Sequence, residues 1–327
     1  MNLIRRRLLA TLAAAPLSAL LPRAALAAFP DRGIKFVVPF AAGGNADLVG
    51  RLLAEGMGPT LGQSIVVENR AGAGGSLGAG VVASSPPDGY TLLIGSNGPL
   101  TVNPFVQAKL SYDSLKDFVA IGLANLAPHT LVLHPSIPAK TVPELVALSK
   151  KQQLSIATSG AGSAGHLTLV RFIAATGANL THVPYRGGAT LVPDMIAGNV
   201  SGGMTEMSTA LPQHKGGKLR IFAVASARRP ALAPEAPTMI DLGLKDFLAA
   251  SYVGLLAPAK TPPDVVAALE KALIKAVAAK SLQDKFLATG AELVPENLQN
   301  SKGFGEYIRR EFENAREAAK LAGLKPQ

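Results

Sequence analysis

Glycine, serine and one histidine are concentrated in the segment Ser159-Gly160-Ala161-Gly162-Ser163-Ala164-Gly165-His166, between a short apolar run and a helix-like one. Gly160 to Gly165 match the G-x-G-x-x-G pattern of turns that hold phosphate. Such a turn leaves backbone N–H groups free at the start of a helix, where the helix dipole also attracts negative charge. The segment therefore predicts an anion-binding turn, and its chemistry depends on which anion it holds.

A dinucleotide pyrophosphate is the first candidate anion. A dinucleotide-binding unit requires Asp or Glu about 20 residues further on, at the end of the next strand, to bind the ribose hydroxyls. The predicted strand here ends instead in Val183-Pro184-Tyr185-Arg186. Arginine can pair with a 2′-phosphate, but the missing acid argues against a dinucleotide enzyme.

An acyl intermediate is the second candidate. Gly74-Gly75-Ser76-Leu77-Gly78 matches the G-x-S-x-G pattern of serine hydrolases. The nucleophile of that pattern directly follows a strand, whereas the preceding predicted strand ends at Glu68, and His214 has no surrounding motif that would make it a triad base. We interpret the segment as a glycine turn before a helix, and a secreted hydrolase that uses Ser76 stays as a weaker alternative.

Single polar residues near the glycine turns have both a capping and a ligand-binding interpretation. Ser159 and Ser163 can accept a hydrogen bond from the start of a helix or donate one to a bound carboxylate. Asp47 lies in a first helical turn, where an acid suits the helix dipole. Asn45 is neutral and carries donors suited to an anion. His166 is either a packed residue or a ligand contact.

The two halves of the chain resemble each other. In the first, strand IKFVVPF is followed by AAGGN, helix ADLVGRLLAEGMG, strand SIVVEN and RAGAGG; in the second, strand LSIATS is followed by GAGSAG, helix HLTLVRFIAATG, strand LTHVPY and RGG. Strands that alternate with helices predict an α/β fold, with mostly parallel sheets flanked by helices. If the halves face each other, two helix N-termini point into one cleft and can hold an anion between them.

Apolar runs predict the remaining elements. Separate strands are predicted at 120–126 and 130–134, and three helices are predicted from Pro263 to Leu324. A length of 327 residues favours two domains over one.

The N-terminus has the composition of an export signal. A basic start, MNLIRRR, precedes an apolar stretch and Ala25-Leu26-Ala27, so residues 1–27 are predicted to be a cleaved Sec or Tat signal peptide. Its removal takes away four arginines and no acid, which lowers the formal net charge from +10 to +6. That excess is spread along the chain and aromatic residues make up only 5%, so we expect no nucleic-acid partner.

Several chemistries are excluded by composition. The sequence has no cysteine, which rules out thiolate zinc sites and cysteine nucleophiles. Its five histidines include no H-x-x-x-H pair. We therefore predict no metal site, no cofactor and no catalytic residue, and a modest positive charge that favours a small anionic ligand.

Seven segments carry a family resemblance: FVVPFAAGGNADLVGRLLAEGM, VVENRAGAGGSLGA, PDGYTLLIGSNG, SGAGSAGHL, HVPYRGG, GKLRIFAVAS and GLLAPAKTPPDVV. In this order and spacing they resemble the substrate-binding receptors of tripartite tricarboxylate transporters, also called the Bug family or the TctC type. The resemblance covers residues 29–324. It implies a periplasmic, two-domain binding protein of the type II-like Venus flytrap kind. It also implies a small carboxylate ligand and delivery of that ligand to membrane permease subunits.

The resemblance implies a site in which main-chain groups and waters of two glycine loops hold the ligand carboxylate, with two further strand ends at the cleft. The positions that match are Phe40, Ala41, Gly43, Gly44, Asn45, Asp47, Ser96, Asn97, Ser159, Gly160, Gly162, Ser163, His166 and Tyr185.

The chain departs from the family pattern at Met204-Thr205-Glu206, at Val200-Ser201 and at Tyr252. The loss of the usual acid from the first of these segments disfavours a ligand that carries an ammonium group.

Together these inferences predict an exported solute receptor that acts as a monomer. Its first domain is expected to comprise residues 28–129 and 253–327, its second residues 130–252, and the hinge crossings lie near 128–131 and 250–254. The expected ligand is a di- or tricarboxylate or an aromatic carboxylic acid. An orphan sensor that feeds a signalling partner would share the same site and stays open as an alternative.

Overall fold

The computed structural model describes residues 29–321 and residue 326. The predicted signal peptide, residues 1–27, lies outside the described residues. Within them, the strands are β1 Ile34–Val38, β2 Ile65–Asn69, β3 Thr91–Ser96, β4 Phe118–Leu133, β5 Leu154–Thr158, β6 Leu180–Pro184, β7 Gly202–Glu206, β8 Arg220–Val224 and β9 Ala250–Pro258.

The first section of the sheet consists of β1, β2, β3, β9 and the beginning of β4. Strand β1 pairs in parallel with β2 and β3, and β9 is antiparallel to both β3 and β4. Side chains of β1 alternate between two cores, because Ile34 and Phe36 pack on one face and Val37 packs on the other. This section is therefore covered by helices on both faces.

The second section of the sheet consists of β5, β6, β7, β8 and the end of β4. Strand β5 is parallel to β6 and β7, while β7 and β8 each pair antiparallel with β4. Its core includes Leu131, Phe172, Met204 and Phe222. Since parallel pairs occur beside antiparallel ones in both sections, the predicted α/β class is confirmed, and the sheet is mixed.

A single strand, β4, runs through both sections. It was expected as two strands, but the structure shows 16 continuous residues. It pairs with β9 as far as Pro128, opposite Ala250, and with β7 from His129 onwards, opposite Glu206. Pro128, between the two predicted strands, stands at the point where the strand changes its partner. The division into two domains with these crossings as a hinge stays a prediction.

The helices are α1 Asn45–Leu61, α2 Ser76–Ala83, α3 Asn103–Val106, α4 Val142–Lys151, α5 Ala164–Thr176, α6 Val192–Ile196, α7 Met207–Lys215, α8 Pro263–Ala278, α9 Lys280–Leu287 and α10 Ser301–Leu321. Helix α7 was not predicted, because Pro212 and several polar residues obscure its apolar periodicity. None of the helices among the described residues is both long enough and apolar enough to cross a bilayer.

Candidate ligand-binding site

Two glycine turns from opposite sections of the sheet contact each other. The backbone N–H of Ala41, after β1, donates a hydrogen bond of 3.1 Å to the carbonyl of Arg186, after β6. Next to this bond, a β-carbon added to Gly44 would lie 3.4 Å from the amide nitrogen of Gly188. The turns approach this closely because glycines make up most of the contact, and the side chains nearest to them include only the methyl groups of Ala41 and Ala189 and the Cβ of Phe40.

A second contact joins the sections on the other side of Phe40. Gly74, in the short 3-10 turn Ala73–Gly75, packs against the carbonyl of Ala161 so closely that a β-carbon would overlap it. Gly162 faces Asn103 of α3 in the same way. Both glycines have positive φ, 58° and 76° respectively, so glycine is needed here for conformation as well as for space.

Between these contacts lies a buried cavity of about 30 Å³, which we call the inner cavity. The first residues of α1 and of α5 both line it. Gly44, the N-cap of α1, has no side chain to satisfy the free N–H groups of that helix. Two helix N-termini, each with unpaired N–H groups and a partial positive charge, therefore open into one small space.

Three serine hydroxyls also line the inner cavity: those of Ser96, Ser159 and Ser163. Ser163 caps α5, and its Oγ accepts a hydrogen bond of 3.2 Å from the N–H of His166. Within the described part of the chain, none of the three hydroxyls donates to a protein acceptor. They are free to donate to a bound anion.

A larger cavity of about 910 Å³, the outer cavity, adjoins the inner one, and Phe40 and Ser159 line both. Its wall includes the turns Gly72–Gly75 and Ser159–Gly162, and Lys109 and Arg186 bring positive charge to it. The arrangement suits a ligand with one anionic end in the inner cavity and a longer body in the outer one.

The predicted site residues fall into three groups. The inner cavity is lined by Phe40, Gly44, Asn45, Ser96, Ser159 and Ser163. The outer cavity is lined by Gly160, Gly162, His166 and Tyr185, besides Phe40 and Ser159. Ala41, Gly43, Asp47 and Asn97 line neither cavity.

Asp47 has a supporting role in this geometry. Its buried carboxylate is held by two hydrogen bonds from Arg51, at 3.0 and 2.9 Å, one from Asn69 at 2.9 Å and one from the N–H of Gly43 at 2.8 Å. Burial alone would raise its pKa, but these hydrogen bonds outweigh burial and lower the pKa. The carboxylate fixes the turn before α1 and has little capacity left for a ligand.

Asn97 and Tyr185 are likewise engaged within the protein. The Asn97 amide joins β3 to β9, because its Oδ1 accepts from the N–H of Tyr252 at 2.8 Å and its Nδ2 donates to the carbonyl of Ala250 at 3.3 Å. The Tyr185 hydroxyl donates to Asp194. Asn97 faces a separate cavity of about 550 Å³ near the strand crossing.

His166 stacks on His182 at the wall of the outer cavity, with ring centroids 4.0 Å apart and planes inclined by 11°. The N–H of Gly162 donates to Nδ1 of His166 at 3.1 Å, and Nε2 of His182 lies 2.7 Å from the hydroxyl of Thr158. Burial lowers the pKa of both rings, that of His182 to about 4. Both rings are therefore neutral at pH 7 and support the second glycine turn.

Sequence reasoning missed several contributors to the site. His182 and Gly188 had no motif of their own beyond the HVPYRGG segment. Ser251 and Glu206 also line the inner cavity. Glu206 was visible as a departure from the family pattern, but its position beside two helix N-termini required the structure.

The sequence model of the tripartite tricarboxylate transporter family receptors, TctC, matches residues 49–315. The chain belongs to this receptor family. Protein BugT from Bordetella pertussis is 34% identical over 279 residues, which cover 84% of this chain and 86% of BugT. The receptor is therefore a periplasmic solute-binding protein and not an enzyme.

Solved structures agree with that assignment. The periplasmic binding protein BugD superposes with a TM-score of 0.87 at 34% identity, over 91% of this receptor and 100% of BugD. Rpa4515 of R. palustris, solved with adipate, gives 0.86 at 30% identity over 91% and 100% of the two chains. MatC from Rhodopseudomonas palustris, solved with malate, gives 0.85 at 29% identity over 89% and 99%.

The hydrolase alternative has no support at Ser76. The Oγ of that residue accepts a hydrogen bond of 2.6 Å from Nδ2 of Asn103 inside the protein, and no histidine contacts it among the described residues. Within the same residues no cluster of three potential metal ligands occurs.

The stacked histidines predict an acid-sensitive site. The folded protein holds His182 neutral down to a pKa of about 4, whereas an unfolded histidine takes a proton near pH 6.5. The stability that this group contributes is therefore complete above pH 6.5 and is lost as the pH falls towards 4. Because the ring is partly exposed, we expect about 1 kcal/mol of lost stability per pH unit.

The variant His182→Gln should reduce this acid sensitivity by that amount, as measured by urea unfolding at pH 6 and pH 5. His134→Gln is the control, since His134 lies in a surface turn beside Ser136. Equal acid sensitivity in wild type and His182→Gln would contradict the interpretation.

Proposed function

We propose that this receptor binds a small carboxylate, namely a di- or tricarboxylate or an aromatic carboxylic acid. One carboxylate group occupies the inner cavity, where backbone N–H groups, serine hydroxyls and waters hold it. The observation that carries the proposal is that the N-termini of α1 and α5 open into the same buried cavity.

The donors of the inner cavity favour a carboxylate over other groups. No Lys, Arg or His side chain is among the described residues that line it. A carboxylate can take several hydrogen bonds at once, each contributing about 1.5–3 kcal/mol when one partner is charged. A few of these support micromolar affinity, about −8 kcal/mol, after ordering costs.

The contacts between the two sections favour capture by closure. The Ala41–Arg186 backbone bond joins them at the glycine turns, and Ser208 Oγ of α7 donates to Oδ1 of Asn45 at 3.1 Å. If the sections move apart at the crossings of β4 and β9, these bonds break and the cavity opens. Closure then shields the bound carboxylate from bulk water.

Relatives support the ligand class. Adipate and malate, the molecules named in the structures of Rpa4515 and MatC, are both dicarboxylates. The outer cavity of about 910 Å³ has room for the remainder of such a molecule, with Lys109 and Arg186 on its wall. We further propose that the loaded receptor acts in the periplasm as a monomer and delivers its ligand to the permease subunits of a tripartite tricarboxylate transporter.

A thermal-shift screen tests the ligand class directly. Acetate, malate, adipate, citrate, nicotinate, terephthalate and aspartate form the panel, each over a range of concentrations. A ligand that binds only the folded state raises the melting temperature, and above the dissociation constant the rise continues with the logarithm of the ligand concentration. A panel in which no member changes the melting temperature would overturn the proposed function.

The hydroxyl of Ser163 should contact the ligand as well as cap α5. Ser163→Ala is expected to weaken binding of the best panel member by about 1–3 kcal/mol, because a donor to a charged group is lost. The control is Thr141→Ala, since Thr141 caps α4 by accepting from the N–H of Glu144 at a site remote from both cavities.

Both variants should lose about 1 kcal/mol of stability through the missing cap. Only Ser163→Ala should lose affinity by calorimetry. Equal affinities of the two variants would show that Ser163 is a cap alone.

Gly162 should be required for closure. An alanine β-carbon there overlaps Oδ1 of Asn103, which belongs to the other section of the sheet. Gly177→Ala is a matched control, because Gly177 has a similar φ of 68° and nothing within 4 Å of the added carbon. Both variants carry the same backbone strain, of order 1 kcal/mol.

We expect Gly162→Ala to weaken ligand binding at least tenfold and Gly177→Ala to leave it unchanged, by calorimetry with the best panel member. Unchanged affinity in Gly162→Ala would contradict the closed arrangement of the two turns.

A further inference from the structure

A chain of polar side chains, buried except for the half-buried Glu206, ends in the inner cavity. Oε1 of Glu206 accepts a hydrogen bond of 2.8 Å from the hydroxyl of Ser251, and Ser251 Oγ lies 2.9 Å from Nε2 of His129. Nδ1 of His129 lies 2.6 Å from the hydroxyl of Thr168. These four side chains, from β7, β9, β4 and α5 respectively for Glu206, Ser251, His129 and Thr168, connect the protein interior to the inner cavity.

The chain is complete when Glu206 is ionised and His129 is neutral. An ionised Glu206 can only accept, so Ser251 donates to it and Nε2–H of His129 donates to Ser251. Nδ1 of His129 then accepts from Thr168, whose hydroxyl also lies 3.0 Å from the carbonyl of Ala164. Complete burial lowers the pKa of His129 to about 4, although the negative charge of Glu206 acts in the opposite direction. In this arrangement the one negative charge of the chain lies on Glu206, beside the inner cavity.

Glu206 lies where the ligand carboxylate is proposed to bind. It lines the inner cavity together with the first residues of α1 and α5. A β-carbon added to Gly188 would lie 3.5 Å from Oε2 of Glu206 and 3.8 Å from Oγ of Ser159, so these two oxygens border the same spot. A bound carboxylate would bring a second negative charge into that space.

Other charged groups on the surrounding elements do not neutralise Glu206. On α1, Asp47 is paired with Arg51. On α5, the half-buried Arg171 further lowers the pKa of His129. His166 on α5 and Arg186 line the outer cavity, and α7 carries His214 and Lys215 in its last turn.

Two carboxylates that share one site repel each other, and this repulsion favours a proton on one of them unless a cation lies between them. We propose that Glu206 is a ligand-binding residue that takes up one proton when the carboxylate ligand binds. It then meets the ligand as a neutral acid and donates an O–H hydrogen bond to it. The proton comes from solvent, and no covalent bond is formed or broken apart from the O–H bond on Glu206.

This inference rests on the proposed function, since it requires a carboxylate in the inner cavity. It also adds a condition for specificity. A ligand that places an ammonium or hydroxyl donor at Glu206 would leave the residue ionised and would bind without proton uptake. A plain carboxylate group requires the proton.

Calorimetry of the best panel member in buffers of different ionisation enthalpy counts the protons taken up on binding. We expect about one proton for the wild type between pH 7 and 8.5, with the dissociation constant rising about tenfold per pH unit. Glu206→Gln imitates the neutral acid and should take up no proton. Its dissociation constant should be independent of pH and equal to or lower than that of the wild type at pH 8.5.

Ser251→Ala locates the proton. It separates Glu206 from His129 but keeps the carboxyl group, so proton uptake should persist. Loss of uptake in this variant would assign the proton to His129 and overturn the proposal, and it can be measured even if Glu206→Gln fails to fold.

The other outcomes are equally decisive. Weaker binding by Glu206→Gln at every pH, without proton uptake in the wild type, would show that ionised Glu206 accepts a donor from the ligand. Absence of proton uptake in a wild type that binds a carboxylate overturns this inference alone, whereas absence of binding to the whole panel overturns the proposed function with it.

Discussion

Backbone N–H groups in the first turn of a helix have no partner inside that helix. The proposed site depends on two helices, α1 and α5, whose first turns face the same small cavity. The α1 and α5 termini can meet only if the segments before them are nearly free of side chains. Gly44, Gly162 and Gly188 satisfy that condition, and the carboxylate of Asp47 fixes the first turn from behind. The attraction of these helix termini for an anion therefore comes from fixed peptide groups, which need no mobile cationic side chain.

The strand crossing provides a second constraint. Because β4 passes from one section of the sheet to the other, it places His129 opposite Glu206 of β7 just beyond the point where Pro128 pairs with Ala250 of β9. Polar groups buried at such a junction must be satisfied by one another. The hydrogen-bonded chain from Thr168 to Glu206 meets that requirement and also ends in the inner cavity.

The sequence was sufficient for the α/β class, because strand and helix periodicities repeat in both halves, and for the family, because seven segments lie in register. It could not show that the Asp47 carboxylate accepts hydrogen bonds from Arg51 and Asn69. An acid in a first helical turn has the same sequence pattern whether it caps the helix, binds a ligand or fixes a neighbouring turn. Nor could it reveal the association of Glu206, Ser251 and His129. Those residues come from segments far apart in the chain, and only the change of partner along β4 brings them together.

The latch between the two glycine turns is a bond from one peptide group to another, Ala41 to Arg186. Any residue other than proline at position 41 keeps the N–H donor, and any residue at position 186 keeps the carbonyl, so this bond tolerates most side-chain substitutions. Residues that line the outer cavity can then change without removing this contact between the two sections. On the proposed function, receptors for different acids can share this contact between the glycine turns and differ in the residues that line the outer cavity.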